Sequence, residues 1–275
     1  MGDPMNSKRL EGQIAWISGG ASGMGEATAQ LFAEEGAKVA VVDIQAGRGQ
    51  KLVEDITANG GEAIFHECDV AQEDAVRQSI EKTVAHFGGL QIIVNCAGVV
   101  HVVSLHEYSE EEWDQLMGVN VKSIFFSIKH GHPHLTKNQR SYMVNIGSVG
   151  SFIGQALTPA YITSKHAVLG LSRSIALDYA AEGLRCNCVC PGITDTPMLR
   201  YHLSTTPDPE ATLANRLSRV PTGVVITPMD IARAVRYLSC EDSAGVTGTS
   251  LVVDGAYITP AEWETVGQTK FMEPS

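Results

Sequence analysis

Short unbroken apolar runs alternate with longer amphipathic stretches along this chain. Ile14-Ala15-Trp16-Ile17-Ser18 is the first run, and it ends at a cluster of glycines. The stretch 23–36 follows, from Gly23 through Ala27, Ala29, Leu31, Phe32 and Ala33, and reads as a helix closed by Gly36. A strand at 38–43 ends in Asp43. Then come a helix over 45–58 closed by Asn59-Gly60-Gly61, a strand at 63–69, a helix over 72–87 and a strand at 90–95. The second half predicts a long helix over about 110–131, a strand at 141–147, a helix over 158–182, a strand at 184–189 and a last strand at 250–254. Continuous apolar strands separated by helices predict a parallel sheet covered on both faces. No internal repeat or low-complexity linker marks a domain boundary.

One segment breaks the rhythm. Residues 193–228 carry Pro197, Pro207, Pro209, Pro221 and Pro228, with one short helical stretch near 209–219. The segment follows a strand, so it lies above the C-terminal edge of the sheet, where doubly wound folds bind ligands. It reads as a substrate lid.

Composition narrows the picture. A chain of 275 residues that is 44% hydrophobic and 19% charged suits one well-buried domain. The net charge, 20 − 31 = −11, argues against nucleic acid or an anionic membrane as partner. It leaves room for an anionic cofactor held by local backbone N–H groups. No apolar stretch approaches the ~20 residues of a membrane helix. The N-terminus lacks the apolar core of a signal peptide, and a reducing cytoplasm is the expected compartment. Met5 suggests that the first four residues are an added leader; residues 1–8 are expected to be a flexible N-terminus, and 258–275 a tail that either closes a pocket or is disordered.

The chemistry-bearing residues come next. Gly19, Gly23 and Gly25, with Ser18, Ser22 and Met24 among them, lie between an apolar strand and a helix. Such a turn lets a pyrophosphate approach the backbone and sit on the helix N-terminus. Asp43 ends the next strand, 24 residues after Gly19, where an acid accepts hydrogen bonds from adenosine ribose hydroxyls and repels a 2′-phosphate. NAD is therefore predicted over NADP; a helix-capping aspartate is the plainer alternative. Tyr161 and Lys165, four apart, share a helix face, and Ser148 lies thirteen residues upstream of Tyr161. A free phenol titrates near ~10, and a neighbouring ammonium favours phenolate, so this pair is a tunable acid and base. Cys186, Cys188 and Cys190 alternate along a strand. Their side chains are expected roughly 6.5–7 Å apart, too far for one zinc, so they read as small hydrophobes. His130, His132 and His134 surround Pro133 at a helix end, where polar caps are ordinary, and no metal is predicted there or elsewhere. His101 and His106 either line a pocket or lie on the surface.

In its motifs the chain resembles the short-chain dehydrogenase/reductase family over roughly residues 9–257. Ser18, Gly19, Gly23 and Gly25 stand in register with the family's Thr-Gly-xxx-Gly-x-Gly. Asn95-Cys96-Ala97-Gly98 stands for its Asn-Asn-Ala-Gly, and Asp69-Val70 for its adenine-contacting pair. Asn120 matches its helix asparagine, and Asn145-Ile146-Gly147-Ser148 the strand that ends in the catalytic serine. Pro191-Gly192-Ile193-Thr194-Asp195-Thr196 matches the turn that holds the nicotinamide amide. Thr247-Gly248 and Asp254-Gly255-Ala256 match the C-terminal pattern, with alanine where the family usually has glycine. The resemblance implies a single α/β domain with a Rossmann-type doubly wound parallel sheet of about seven strands, and a homotetramer. It implies Tyr161 as proton donor in reduction and base in oxidation. Lys165 would lower the phenol's pKa and hold the nicotinamide ribose, Ser148 would bond the substrate oxygen, and Asn120 would support a water beside Lys165. Ile44 joins Asp43 among the expected cofactor contacts.

Residues after Gly98, Ser148 and Pro191 should face substrate. They include Val99, Val100, Val149, Phe152, Ile153, Ile193, Met198, Leu199, Tyr201 and Leu203, with Arg200 the one candidate cationic clamp. This mostly apolar wall predicts a hydrophobic, cyclic secondary alcohol or ketone. Three rivals stand beside that reading: a 3-oxoacyl-carrier-protein reductase, a sugar-nucleotide epimerase or dehydratase, and a non-catalytic NAD-binding sensor. Asp43 and the negative charge oppose the first. The absence of a larger C-terminal substrate region opposes the second, and the intact Ser148, Tyr161 and Lys165 oppose the third.

Overall fold

A computed structural model describes residues 8–259. Its first half runs β1 (Ile14–Ser18), α1 (Gly23–Glu34), β2 (Lys38–Asp43), α2 (Ala46–Ala58), β3 (Glu62–Glu67), α3 (Glu73–Phe87) and β4 (Ile92–Asn95). The second half runs α4 (Glu110–Met117), α5 (Ser123–Leu135), β5 (Ser141–Ile146), α6 (Pro159–Tyr179), β6 (Leu184–Pro191), α7 (Pro197–Ser204), α8 (Pro209–Leu217), α9 (Pro228–Tyr237) and β7 (Ser250–Val253). The strands form one seven-stranded sheet in the order β3-β2-β1-β4-β5-β6-β7, every neighbouring pair parallel. This is a single Rossmann-type α/β domain.

The apolar runs are unbroken because both faces of the sheet are buried. Alternate residues of one strand enter opposite cores. Trp16, Ile93 and Met143 pack on the face with α3, α5 and α6, while Ile17, Ile92 and Val144 pack on the face with α1, α2 and α9. The order reverses between β1 and β4, which puts a crevice at their C-terminal ends.

Three departures from the expected elements have identifiable causes. The helix expected over 110–131 is two helices joined by a π turn at Gly118–Lys122, and α5 runs on to Leu135 with Pro133 inside it. Pro133 removes one N–H from a last turn that keeps its other bonds. The segment 193–228 holds two helices rather than one short stretch. Pro197, Pro209 and Pro228 all stand at the first position of a helix, where the missing N–H costs nothing and the fixed φ suits the helix. Thr196, Asp208 and Thr227 cap the three helices by accepting from Leu199, Ala211 and Asp230 N–H at 3.3, 2.9 and 3.2 Å. The third of these, α9, was not among the predicted elements. It buries Ile231, Ala232 and Val235. No helix among the described residues is long and apolar enough to cross a membrane. The expectations for residues 1–7 and for the tail from 260 onward lie outside the described residues.

Candidate active site

Two cavities open along the C-terminal edge of the sheet. A groove of about 820 Å³ runs from Asp43, Ile44, Asp69 and Val70 past Gly19, Ser22, Gly23 and Met24 to Ala97 and Gly98. A pocket of about 580 Å³ is lined by Ser148, Tyr161 and Lys165, by Pro191, Gly192 and Ile193, and by the segment after them. The two share Gly98, Val100, Thr196 and Met198.

The glycine turn is as tight as a backbone can be. Gly19 has φ +63°, and a Cβ on it would lie 2.7 Å from the Ala97 backbone; a Cβ on Gly25 would lie 2.1 Å from the Gly19 carbonyl oxygen. Ser22 precedes α1, but its side chain caps no first-turn N–H. Those donors remain available to an anion at the helix N-terminus. Asp43 reaches the same turn. Its buried carboxylate accepts from Ala21 N–H at 3.0 Å and from Gln45 N–H and Nε2 at 3.0 and 3.3 Å. Asp43 caps no helix, since α2 starts at Ala46 without a side-chain cap, and its four lone-pair sites leave capacity for a hydroxyl. This cradle fits the pyrophosphate and ribose of a dinucleotide.

Not every expected cofactor residue lines the groove. Ser18 is buried beneath it, accepting from Cys96 and Ala97 N–H at 3.2 and 3.4 Å and tying β1 to the turn after β4. Asn95 donates to Asn145 Oδ1 at 2.8 Å, and Gly25 packs under Gly19. All three shape the groove from behind.

On the pocket side, α6 presents Tyr161 and Lys165 one turn apart. The Lys165 ammonium lies 5.5 Å from the Tyr161 ring centre and donates to the Ile146 carbonyl at 2.8 Å, at the end of β5. Lys165 is buried, with two further N–H donors to offer. Ser148 Oγ accepts from Gly150 N–H at 3.0 Å. Ser151, which the motifs did not single out, accepts from Ser148 N–H at 3.2 Å and donates to the Lys165 carbonyl at 2.7 Å. It fastens the serine loop to the tyrosine–lysine helix.

Asn120 sits in the π turn and is buried. Its side chain accepts from Val99 N–H at 2.8 Å and donates to the Val99 carbonyl at 3.0 Å and to Ser164 Oγ at 3.0 Å. Ser164 in turn donates to the Tyr161 carbonyl at 2.7 Å. Asn120 therefore pins the Gly98–Val99 wall to the first turns of α6.

The residues expected to face substrate do not all line one cavity. Val100, Val149, Ile153, Ile193, Met198 and Leu199 line the pocket. Phe152 does not and is 39% exposed, and Tyr201, 50% exposed, lines the dinucleotide groove instead. Val99 likewise lines the groove, and Leu203 neither cavity. Arg200 is no clamp: its side chain is 71% exposed and pairs with Asp195 at 3.0 Å. Besides Lys165, the pocket is lined by two cationic groups, Arg216 and Arg219. They lie at and just beyond the end of α8, too far along the sequence from any strand end to be flagged by position.

The remaining candidates resolve simply. His130 pairs with Glu73 at 3.0 Å and His132 with Glu182 at 2.9 Å, so two of the three histidines take separate carboxylates. His101 lines the groove and stacks on Tyr108, while His106 is in an exposed turn. The sulfurs of Cys188 and Cys190 are 3.7 Å apart, closer than strand spacing predicts. Both lean under Gly147, where a Cβ would meet them at 2.8 and 3.0 Å. Both are buried, and the contact between them lowers Cys188 and raises Cys190; elsewhere burial pushes the Cys96 thiol up to about 12 and Cys68 up to about 11.

Known proteins are similar to this chain over most of its length. A family profile described as "Enoyl-(Acyl carrier protein) reductase" matches residues 19–257. An uncharacterized oxidoreductase of Thermotoga maritima is 39% identical over 246 residues, covering 90% of this chain and 97% of its own. A cyclohexanol dehydrogenase of an Acinetobacter species is 34% identical over 252 residues, covering 91% and 97%. The crystal structure of a dehydrogenase/reductase from Sinorhizobium meliloti 1021 superposes with a TM-score of 0.84 at 35% identity, over 92% of this chain and 98% of that one. A parallel sheet with a glycine cradle at its switch point, serine, tyrosine and lysine around the adjoining pocket, and relatives of this extent place the chain in the short-chain dehydrogenase/reductase family, as an oxidoreductase that uses a nicotinamide cofactor.

Proposed function

We propose that this protein interconverts a hydrophobic, cyclic secondary alcohol and its ketone with NAD(H). The observation that carries the reading is the convergence of Ser148, Tyr161 and Lys165 in an otherwise largely apolar pocket that joins the dinucleotide groove at Gly98 and Met198. The chemistry a bound nicotinamide supplies is hydride acceptance or donation at the carbon bearing the oxygen. Gly19, Ser22, Gly23 and Met24 would hold its pyrophosphate, Asp43 and Ile44 the adenosine ribose, and Asp69 and Val70 the adenine. Ala97, Pro191, Gly192, Ile193 and Thr196 would flank the nicotinamide half.

In oxidation, Tyr161 takes the hydroxyl proton as a general base; in reduction, it returns one to the carbonyl oxygen. The Lys165 ammonium lies 5.5 Å from the ring centre and has donors left for the nicotinamide ribose. Ser148 donates to the substrate oxygen as charge develops on it. Asn120 acts first by fixing Val99 and the first turns of α6, and with them the wall of the pocket. The cyclohexanol dehydrogenase relative and the apolar walls support a ring-shaped substrate. Asp43 at the ribose position supports NAD over NADP. Six free thiols support a reducing, cytoplasmic setting, and the family resemblance supports a homotetramer.

The test is the initial rate of NADH or NADPH formation with cyclohexanol and bulkier cyclic alcohols, alongside their open-chain counterparts. The reading predicts turnover with NAD and a higher kcat/KM for rings. Preference for open chains across the panel removes the cyclic substrate, and preference for NADP removes the role given to Asp43.

A further inference from the structure

The pocket holds two guanidinium groups that form no ion pair with a carboxylate among the described residues. In a chain of net charge −11, six of the eleven arginines pair with acids, Arg185 bonds backbone carbonyls, and Arg48 and Arg173 are exposed to solvent away from the pocket. Arg216 and Arg219 pair with none among the described residues. Arg216 is half-buried, and its Nη2 points at His202 Nε2 at 3.1 Å. Arg219 lies over the Tyr257 ring at 5.2 Å from its centre. All four side chains line the cavity that contains Tyr161 and Ser148.

A cation in the last turn of a helix is ordinary, because it complements the carbonyl end of the dipole. That explanation covers Arg216 poorly. Its guanidinium bonds a histidine ring nitrogen and not the terminal carbonyls. Burial holds Arg216 below its ordinary value, the mark of a charge that lacks compensation. Burial, then the Arg216 charge, likewise depresses His202. A neutral His202 can accept from Arg216 and so fix the direction of its fork. Leaving a charge in such a place costs free energy unless something anionic joins it.

We propose that this pocket takes an amphipathic acid, a cyclic alcohol or ketone that carries a carboxylate away from the reacting carbon, with the carboxylate received by Arg216 and Arg219. The proposal rests on the alcohol and ketone reading above and names its substrate class more closely. Apolar walls at Val149, Ile153 and Leu199 take the ring, the serine–tyrosine pair takes the oxygen, and the planar guanidinium forks take the acid.

The experiment is a calorimetric titration of the full chain with cyclohexanecarboxylate and with cyclohexanecarboxamide, its uncharged isostere. The expected result is at least about tenfold tighter binding of the carboxylate, a preference lost in Arg216→Gln and weakened in the more exposed Arg219→Gln. A matched pair of alcohols, 4-hydroxycyclohexanecarboxylate and its amide, should show the same preference in KM. Equal binding of acid and amide by the unaltered protein overturns the proposal, as does a preference that survives both substitutions. The titration needs no turnover. Its failure therefore leaves the dehydrogenase reading standing, while absence of turnover with every alcohol sinks that reading and leaves the titration to decide the subsite.

Discussion

Asp43 concentrates the cofactor question in one carboxylate. It is tied to the glycine turn through Ala21 and to its own loop through Gln45. Replacing it by alanine would loosen both, so Asp43→Asn is the cleaner change: the amide oxygen can still accept, and the charge is gone. The expected outcome is a shift of about 10- to 100-fold in kcat/KM from NAD towards NADP, read from initial rates with each cofactor. A second residue makes a pH prediction. His66 lies on β3 with its Nε2 buried and without a hydrogen-bond partner among the described residues. Burial, reinforced by the charges of Lys82 and His86, lowers its pKa to about 4 from 6.5. The unfolded chain therefore binds the proton more readily. The stability His66 allows is fully present above about 6.5 and is lost as pH falls towards 4. Thermal melts across that window should drop for the unaltered protein and fall less steeply for His66→Gln. Ala256 is the third case. Its φ of +70° is left-handed backbone, which is why a glycine is usual at this position in the family pattern. Ala256→Gly should stabilise the fold by up to about 1 kcal/mol in denaturant titrations.

At the scale of elements, the π turn and the serine loop hold the site together. Asn120 satisfies both backbone groups of Val99 from a buried position. Asn120→Ala leaves them unpaired and should cost about 1–3 kcal/mol of stability, with a fall in kcat from the displaced Gly98–Val99 wall. Asn120→Asp keeps one acceptor and should recover part of the loss. The family motif marked this asparagine, but its partner Ser164 and the clamp residue Ser151 were invisible in the sequence. A serine's use depends on which backbone atoms the fold brings within 3 Å, and no spacing rule reports that. The helix α9 was legible in principle. Thr227-Pro228 with Asp230 is a capping box with proline at the first helical position, and Ile231 and Val235 share a face. The many prolines of 193–228 read as breakers, whereas three of them begin helices.

Over the whole molecule, the sheet was the most legible part. Strands buried on both faces must be continuously apolar, and that signal survives without any tertiary knowledge. The dinucleotide groove was legible for a related reason: its residues cluster at strand ends, where the doubly wound fold puts its ligands. The far wall of the substrate pocket was not. Arg216, Arg219 and His202 come from helices whose packing over the pocket follows from tertiary contacts, and Phe152, placed in the wall by position alone, points elsewhere. The fold thus announces the reaction class, while the segment 193–228 over the pocket is where chains with the same sheet can differ.

The central claim is that Tyr161, supported by Lys165 and Ser148, transfers the proton in a nicotinamide-dependent oxidation. The most direct measurement is kcat for cyclohexanol oxidation with NAD by the unaltered protein and by Tyr161→Phe, with NADH binding to both followed by fluorescence. The account predicts a loss of at least about 100-fold in kcat with cofactor affinity little changed. A Tyr161→Phe protein that turns over at the unaltered rate would contradict it.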